Sequence, residues 1–270
     1  MQMNEMLRKQ EEAIAARMVS VRNKVLVMSG KGGVGKSTVS VNLAAAMAAA
    51  GKKTGLLDID LHGPNIARML GISGMRLEAE GEELLPYEAS PNLRACSMAL
   101  LGVDTSTAII WRGPRKTSAI KEMLGSVRWG ELDYLFLDSP PGTGDESLTV
   151  AQSLPGLTGA VIVTTPQEVA LDDARRSAAF ASSLKVKVLG VVENMSGFVC
   201  PHCGKETHIF SRGGGEKLAA ELGAEFLGRI PLDPGAAALA DTGKSLYDAE
   251  SGPTRDAVRA IAEKFAKVCP

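Results

Sequence analysis

The residues most able to do chemistry stand in three places along the chain. The first is the run GKGGVGKST, made of Gly30, Lys31, Gly32, Gly33, Val34, Gly35, Lys36, Ser37 and Thr38. It fits G-x-x-x-x-G-K-[ST], with an apolar strand pattern before it and an Ala-rich helical pattern after it. Glycines let successive backbone N–H groups close around phosphate oxygens, and the following helix aims its positive end there. In such a loop Lys36 reaches the β- and γ-phosphates of a nucleotide, and the Ser37 hydroxyl ligates Mg²⁺. The second place is a set of carboxylates that end apolar runs. Asp138, before SPPGTGD, is suited to steering Mg²⁺ through water, and Asp58 and Asp60 precede LHGPN, a loop able to sense the γ-phosphate. A single aspartate of this kind also serves as a helix or turn cap. Three of them at strand C-terminal ends, where open α/β sheets bind ligands, point to a site.

The third place is Cys200-Pro201-His202-Cys203-Gly204. Two thiolates at this spacing grip one metal centre, but structural zinc and iron–sulfur sites usually take four ligands. The chain has no second C-x-x-C. A twofold dimer sharing one site between two chains provides four thiolates. Three other readings stay open from the residues alone. The pair could be a thiol–disulfide couple, a zinc site completed by His202 or His208, or two small side chains that merely pack. Of the other cysteines, Cys96 reads as a buried strand residue and Cys269 as a loose terminal thiol.

These groups need a scaffold, and the hydrophobic pattern supplies one. Short, almost continuously apolar runs at Lys24–Ser29, Lys53–Asp58, Asp133–Asp138, Gly159–Thr165 and Val186–Val192 read as strands covered on both faces. Helical patterns fall between and after them at Lys36–Ala50, Glu168–Leu184 and Thr254–Val268, the first stopping at Gly51. The alternation predicts one α/β domain with a doubly wound, mostly parallel sheet flanked by helices. Its bounds are read as residues 23–270, after a polar helical leader over 1–22, with the cysteine loop at 196–215. Residues 73–91, which include a Glu-rich run, read as a surface excursion or short hairpin.

Composition narrows the function classes. The chain has 270 residues, and 30 Lys+Arg against 31 Asp+Glu give a net charge of −1. That balance argues against a protein that coats nucleic acid, because phosphate contacts need an excess of Lys and Arg. No stretch approaches the ~18 consecutive apolar residues of a membrane span. The opening residues carry charge throughout and lack the apolar core of a secretory signal. Four cysteines are too few for a disulfide scaffold. The expected setting is therefore the reducing cytoplasm, where thiols are free, metal-bound or redox-active.

The second lysine of the phosphate loop, Lys31, resembles the deviant Walker A lysine of the MinD/ParA/ArsA/nitrogenase-iron-protein superfamily of P-loop NTPases. That resemblance implies ATP, a MinD-like fold and a sandwich homodimer in which Lys31 reaches the partner's nucleotide. It also implies that Asp60 orients the attacking water and that Asn194, in VVENMS, reads the adenine. The set KGGVGKST, DIDLHGPN, WRGP, DSPPGTGD, VVENMSGFVCPHCG, HIF and IPLDP resembles the Mrp/ApbC family of iron–sulfur cluster carrier ATPases over about residues 24–245. By that resemblance Cys200 and Cys203 hold a 4Fe–4S cluster bridging two subunits for delivery to apo iron–sulfur proteins. The segment Ile230–Pro234, with Pro231 and Asp233, would pack against the nucleotide base. The sequence departs from the family pattern at Ser139, where Met is common, and at Arg115–Lys116, which replace apolar residues. Its opening residues show neither the N-terminal cluster-binding domain of eukaryotic cytosolic members nor the small extra N-terminal domain of many bacterial ones.

The alternative is a MinD/ParA-type positioning ATPase with a structural zinc. That class needs a basic amphipathic tail or a basic face. The C-terminal helix pattern has an apolar stripe (Val258, Ile261, Phe265, Val268) but mixed charges, so it is expected to dock on the sheet. Neither membrane nor nucleic acid is an expected partner. A nitrogenase-type reductase takes its bridging cysteines from far apart in sequence, unlike this chain.

Overall fold

A computed structural model describes residues 2–101, 113–200, 202–246 and 252–270. In chain order its elements begin with α1 (Gln2–Met18), β1 (Val21–Ser29), α2 (Lys36–Ala49), β2 (Thr54–Asp58) and the short α3 (Ile66–Met69). Four short strands follow, β3 (Glu78–Glu80), β4 (Glu83–Leu85), β5 (Tyr87–Ser90) and β6 (Leu93–Cys96). Then come α4 (Gly113–Ser126), β7 (Leu132–Asp138), α5 (Asp145–Ser153), β8 (Leu157–Thr164), α6 (Glu168–Ser183) and β9 (Val188–Glu193). The chain continues through β10 (Phe198–Val199), β11 (Glu206–Thr207), α7 (Gly214–Leu222), β12 (Glu225–Arg229), α8 (Pro234–Asp241) and α9 (Pro253–Val268).

Among the described residues eight strands form one sheet in the order β12-β9-β8-β1-β7-β2-β6-β5. Every neighbouring pair is parallel except β5–β6. The apolar runs are continuous because both faces are covered. Along β1, Val25 and Val27 face one core with Val39, Leu43 and Met47 of α2 and Val258, Ile261 and Phe265 of α9. Leu26 and Met28 face the other, with Ile14, Ile120, Leu124, Leu171 and Leu218. A sheet buried on both sides holds its strand ends rigidly, and those ends carry Ser29, Asp58 and Asp138.

Each expected strand forms, shifted by a few residues at its ends. The excursion over 73–91 holds the β3–β4 hairpin, with β3 exposed and β4 half-buried, and its last residues enter the sheet as β5. The C-terminal stripe docks as expected, Val258, Ile261 and Phe265 being buried. Cys269 corrects the sequence reading. It is buried, not a loose thiol, because the Tyr134 hydroxyl donates to its carbonyl at 2.6 Å and fixes the chain end against the sheet. Burial pushes its thiol up to about 11. Helix α1 packs on α4 with Ile14 and Met18 in the core. The buried Lys24 ammonium donates to the carbonyls of Met18 and Val21, at 3.2 and 2.8 Å, and so caps the end of α1.

Candidate functional site

The phosphate loop joins the end of β1 to the start of α2. It turns through Gly33 and Gly35, both with φ of 82°, a left-handed backbone that glycine adopts without strain. Gly35 is the N-cap of α2 and no side chain caps the helix, so its first N–H groups face the loop's concavity. At Gly30 a Cβ would sit 2.1 Å from the backbone of Asp173, so only glycine lets α6 approach this closely. The loop floors a cleft of about 450 Å³ lined by Lys31 through Thr38, with Asp60, Asn65, Arg68, Pro141 and Asp241 on its walls. Lys31 and Asp60 are half-buried there.

Beneath the loop, buried Lys36 donates to Asp138 Oδ1 at 2.7 Å. Ser37 donates to Oδ2 and Ser40 to Oδ1, each at 2.6 Å. The Ser37 hydroxyl and the Asp138 carboxylate thus sit together, a donor set that fits Mg²⁺, a hard cation that takes oxygen ligands. The parallel register sets Asp58 of β2 directly beside Asp138 of β7. Desolvation, and then the neighbouring Asp138 charge, hold the Asp58 carboxyl well above its ordinary value. Asp58 accepts from the Asp60 N–H at 3.1 Å, the Ile66 N–H at 3.4 Å and the Ser97 hydroxyl at 3.2 Å. It therefore shapes the loop that carries Asp60, whose own carboxylate accepts from the Gly63 N–H at 3.2 Å.

Asn194 lies behind the loop rather than in the cleft. Its Nδ2 donates to the Val34 carbonyl at 2.9 Å. Pro231 and Asp233 also stand off the cleft: Asp233 caps α8 through the Gly235 N–H and accepts from the Thr254 hydroxyl at 2.7 Å. On that side the far end of α8, at Ala240 and Asp241, forms the cleft wall. Sequence reasoning passed over Ser40 and Ser97. Ser40 follows Lys36 by one helical turn, a signal that was available. Ser97 follows β6, a four-residue strand that no hydrophobic run announced. Trp111 and Arg112 of the WRGP motif lie outside the described residues.

The cysteines stand on a separate feature. Strands β10 and β11 pair as an antiparallel hairpin, closed by Cys200 N–H to Lys205 O at 3.0 Å and Gly204 N–H to Cys200 O at 2.9 Å. Cys200 is half-buried and Cys203 exposed. The backbone N–H groups of His202 and Cys203, then the Cys203 thiol, lower the Cys200 pKa from its ordinary value and so favour the thiolate. Among the described residues no three His, Cys, Asp or Glu side chains gather as a metal site. Cys96, by contrast, is buried with its thiol pushed up to about 12 by desolvation and the Asp58 charge.

Residues 20–266 match the family model described as ParA, the NUBPL iron-transfer P-loop NTPase. The chain belongs to this family. Its relatives include the iron-sulfur cluster carrier protein of Methanocaldococcus jannaschii, 51% identical over 88% of this chain and 82% of that one. The cytosolic Fe-S cluster assembly factor NUBP2 of Bos taurus is 44% identical over 94% of this chain and 95% of its own. A nucleotide-binding protein from Archaeoglobus fulgidus, solved in complex with ADP, superposes with a TM-score of 0.77 at 37% identity, covering 90% of this chain and 98% of that one. The MinD cell division protein of Aquifex aeolicus superposes at 0.65 with 24% identity, over 91% and 97% of the two chains, and shares the fold. The site is thus that of a P-loop NTPase with a MinD-like sheet. No helix among the described residues is long and apolar enough to cross a membrane.

Proposed function

We propose that this protein is an ATP-hydrolysing iron–sulfur cluster carrier that works in the cytoplasm. Two chains hold a 4Fe–4S cluster between their Cys200–Cys203 pairs and pass it to apo iron–sulfur proteins. The observation that carries the reading is the hairpin itself, which aims a half-buried and an exposed cysteine outward with backbone N–H groups already directed at Cys200. Two thiols per chain match half of the four thiolates that such a cluster takes. The surroundings suit a second chain as well. Val199 and Ile209, 39% and 51% exposed, flank the cysteines, and Val169 stands exposed on α6, whose Leu171 touches the start of α7. The relatives' names as cluster carriers and assembly factors support the cargo.

In the cleft, the α2 N-terminus and loop N–H groups bind the ATP phosphates, Lys36 balances their charge, and Ser37 with Asp138 holds Mg²⁺. The Lys36 ammonium stands 2.7 Å from Asp138 Oδ1, so a bound phosphate and this carboxylate share its charge. Asp60, half-buried in the cleft wall, orients water, and Lys31 reaches the partner's nucleotide in the closed homodimer. Hydrolysis is slow, with Asp60 orienting the water rather than a strong general base abstracting its proton.

Loading tests the reading. Protein reconstituted with ferrous iron and sulfide under anaerobic conditions should take up a cluster and activate an apo iron–sulfur enzyme. Cys200→Ser protein should do neither. Equal loading or transfer by the variant would contradict the assignment.

A further inference from the structure

Glu193 and Asn194 are consecutive residues where β9 ends, and successive side chains of a strand leave on opposite sides. The Asn194 side leads to the phosphate loop. Its amide nitrogen lies 2.1 Å from where a Gly35 Cβ would stand, so that amide and the loop backbone fill the same narrow space. The Glu193 side leads to the cysteines. This carboxylate is 0% exposed and accepts from the Ser196 hydroxyl, from the Gly213 N–H at 3.2 Å and from the Gly215 N–H at 2.6 Å. Arg229 Nε stands 3.3 Å from it.

Ser196 and Gly213 are the two feet of the segment that carries Cys200 and Cys203. One buried carboxylate therefore holds both feet, and it also sits at the positive end of α7, where negative charge is favoured. The arrangement leaves no slack. A Cβ on Gly215 would come within 2.8 Å of the Glu193 side chain, and Met195 takes a φ of 54° to turn the chain between Asn194 and Ser196.

We infer that Glu193 and Asn194 form the mechanical link between the nucleotide loop and the cysteine hairpin, with Glu193 as the residue that positions Cys200 and Cys203. A nucleotide that reshapes the loop at Val34–Gly35 must also shift the Asn194 amide, since the two are in direct contact. The next residue back is the anchor of both hairpin feet. Coupling between sites requires an element whose contacts differ between states, and this dipeptide touches both sites. The inference rests on the function proposed above, in taking the loop as the ATP site and the hairpin as the cluster holder.

The test uses the full-length chain without cluster, so that it does not depend on loading. Alkylation of each cysteine by iodoacetamide is followed by mass spectrometry with and without Mg²⁺ and a non-hydrolysable ATP analogue. In the wild type the analogue should change the rates at Cys200 and Cys203 by about fivefold or more, while buried Cys96 and Cys269 stay unlabelled. In Glu193→Gln, which keeps the side-chain shape, analogue affinity should be unchanged and the rate ratio should fall to about one. Should that variant not fold, Ser196→Ala removes a single foot contact and should lower the ratio below the wild-type value. A merely structural Glu193 would shift melting temperature and basal labelling but leave the ratio intact, and that result would overturn the inference. So would a wild type whose labelling ignores the analogue. Absence of analogue binding would overturn both readings, whereas a wild type that responds to the analogue and a Glu193→Gln variant that does not, in a protein that loads no cluster, would overturn only the earlier one.

Discussion

Asp58 and Asp138 stand side by side at the ends of β2 and β7, and the chain meets the cost of this pairing differently at each. Asp138 has an ammonium and two hydroxyls on it, whereas Asp58 has two backbone N–H groups and one hydroxyl. Asp58 is the strained member. Its folded pKa is raised above the unfolded one, so its contribution to stability is most favourable in acid and is lost as pH rises above the ordinary carboxylate value. Asp58→Asn should therefore melt at a higher temperature than the wild type at neutral pH. The difference should shrink as the pH is lowered towards about 4, and a pH series of thermal melts checks it. The same variant should impair hydrolysis, because the loop bearing Asp60 hangs on that carboxylate. At Lys36 the direction reverses. Lys36→Ala leaves Asp138 buried without its cation, costing about 3–5 kcal/mol, and should lower ATP affinity by about 100-fold or more, as calorimetric titration would show.

Helix α1 shows how an element can be legible as a helix yet misleading about its surroundings. Its charged residues mark a helical leader, but Ile14 and Met18 plug a core made by α4 and the sheet. Ile14→Ala should cost about 2–4 kcal/mol and lower the melting temperature by roughly 5–10 °C without changing nucleotide affinity. Long central strands were readable because a sheet buried on both faces demands unbroken apolar runs. The short strands β5 and β6 were not, since four residues with mixed polarity carry no period. The phosphate loop and the cysteine pair were readable because their chemistry fixes residue type at fixed spacing. Ser97 and Glu193 could not be found that way. Their partners lie 39 and 20 residues away, and only the parallel register and the folded hairpin bring them together. The buried position of Cys269 escaped for the same reason, resting on a hydroxyl 135 residues distant.

For the whole molecule, the phosphate loop and the cysteine hairpin meet at the end of β9, and in the proposed function each is half of a shared site. Lys31 lines the cleft, where the proposal has it serve the partner's nucleotide, and the hairpin carries two thiols where a cluster takes four. In the function proposed above, a homodimer completes both at once. Native mass spectrometry of anaerobically reconstituted protein reads that claim directly. Two chains carrying one 4Fe–4S cluster, with Cys203→Ser appearing free of cluster, is the expected result. A single chain that holds a whole cluster, a variant that loads equally, or a dimer that retains one zinc and no iron would contradict it.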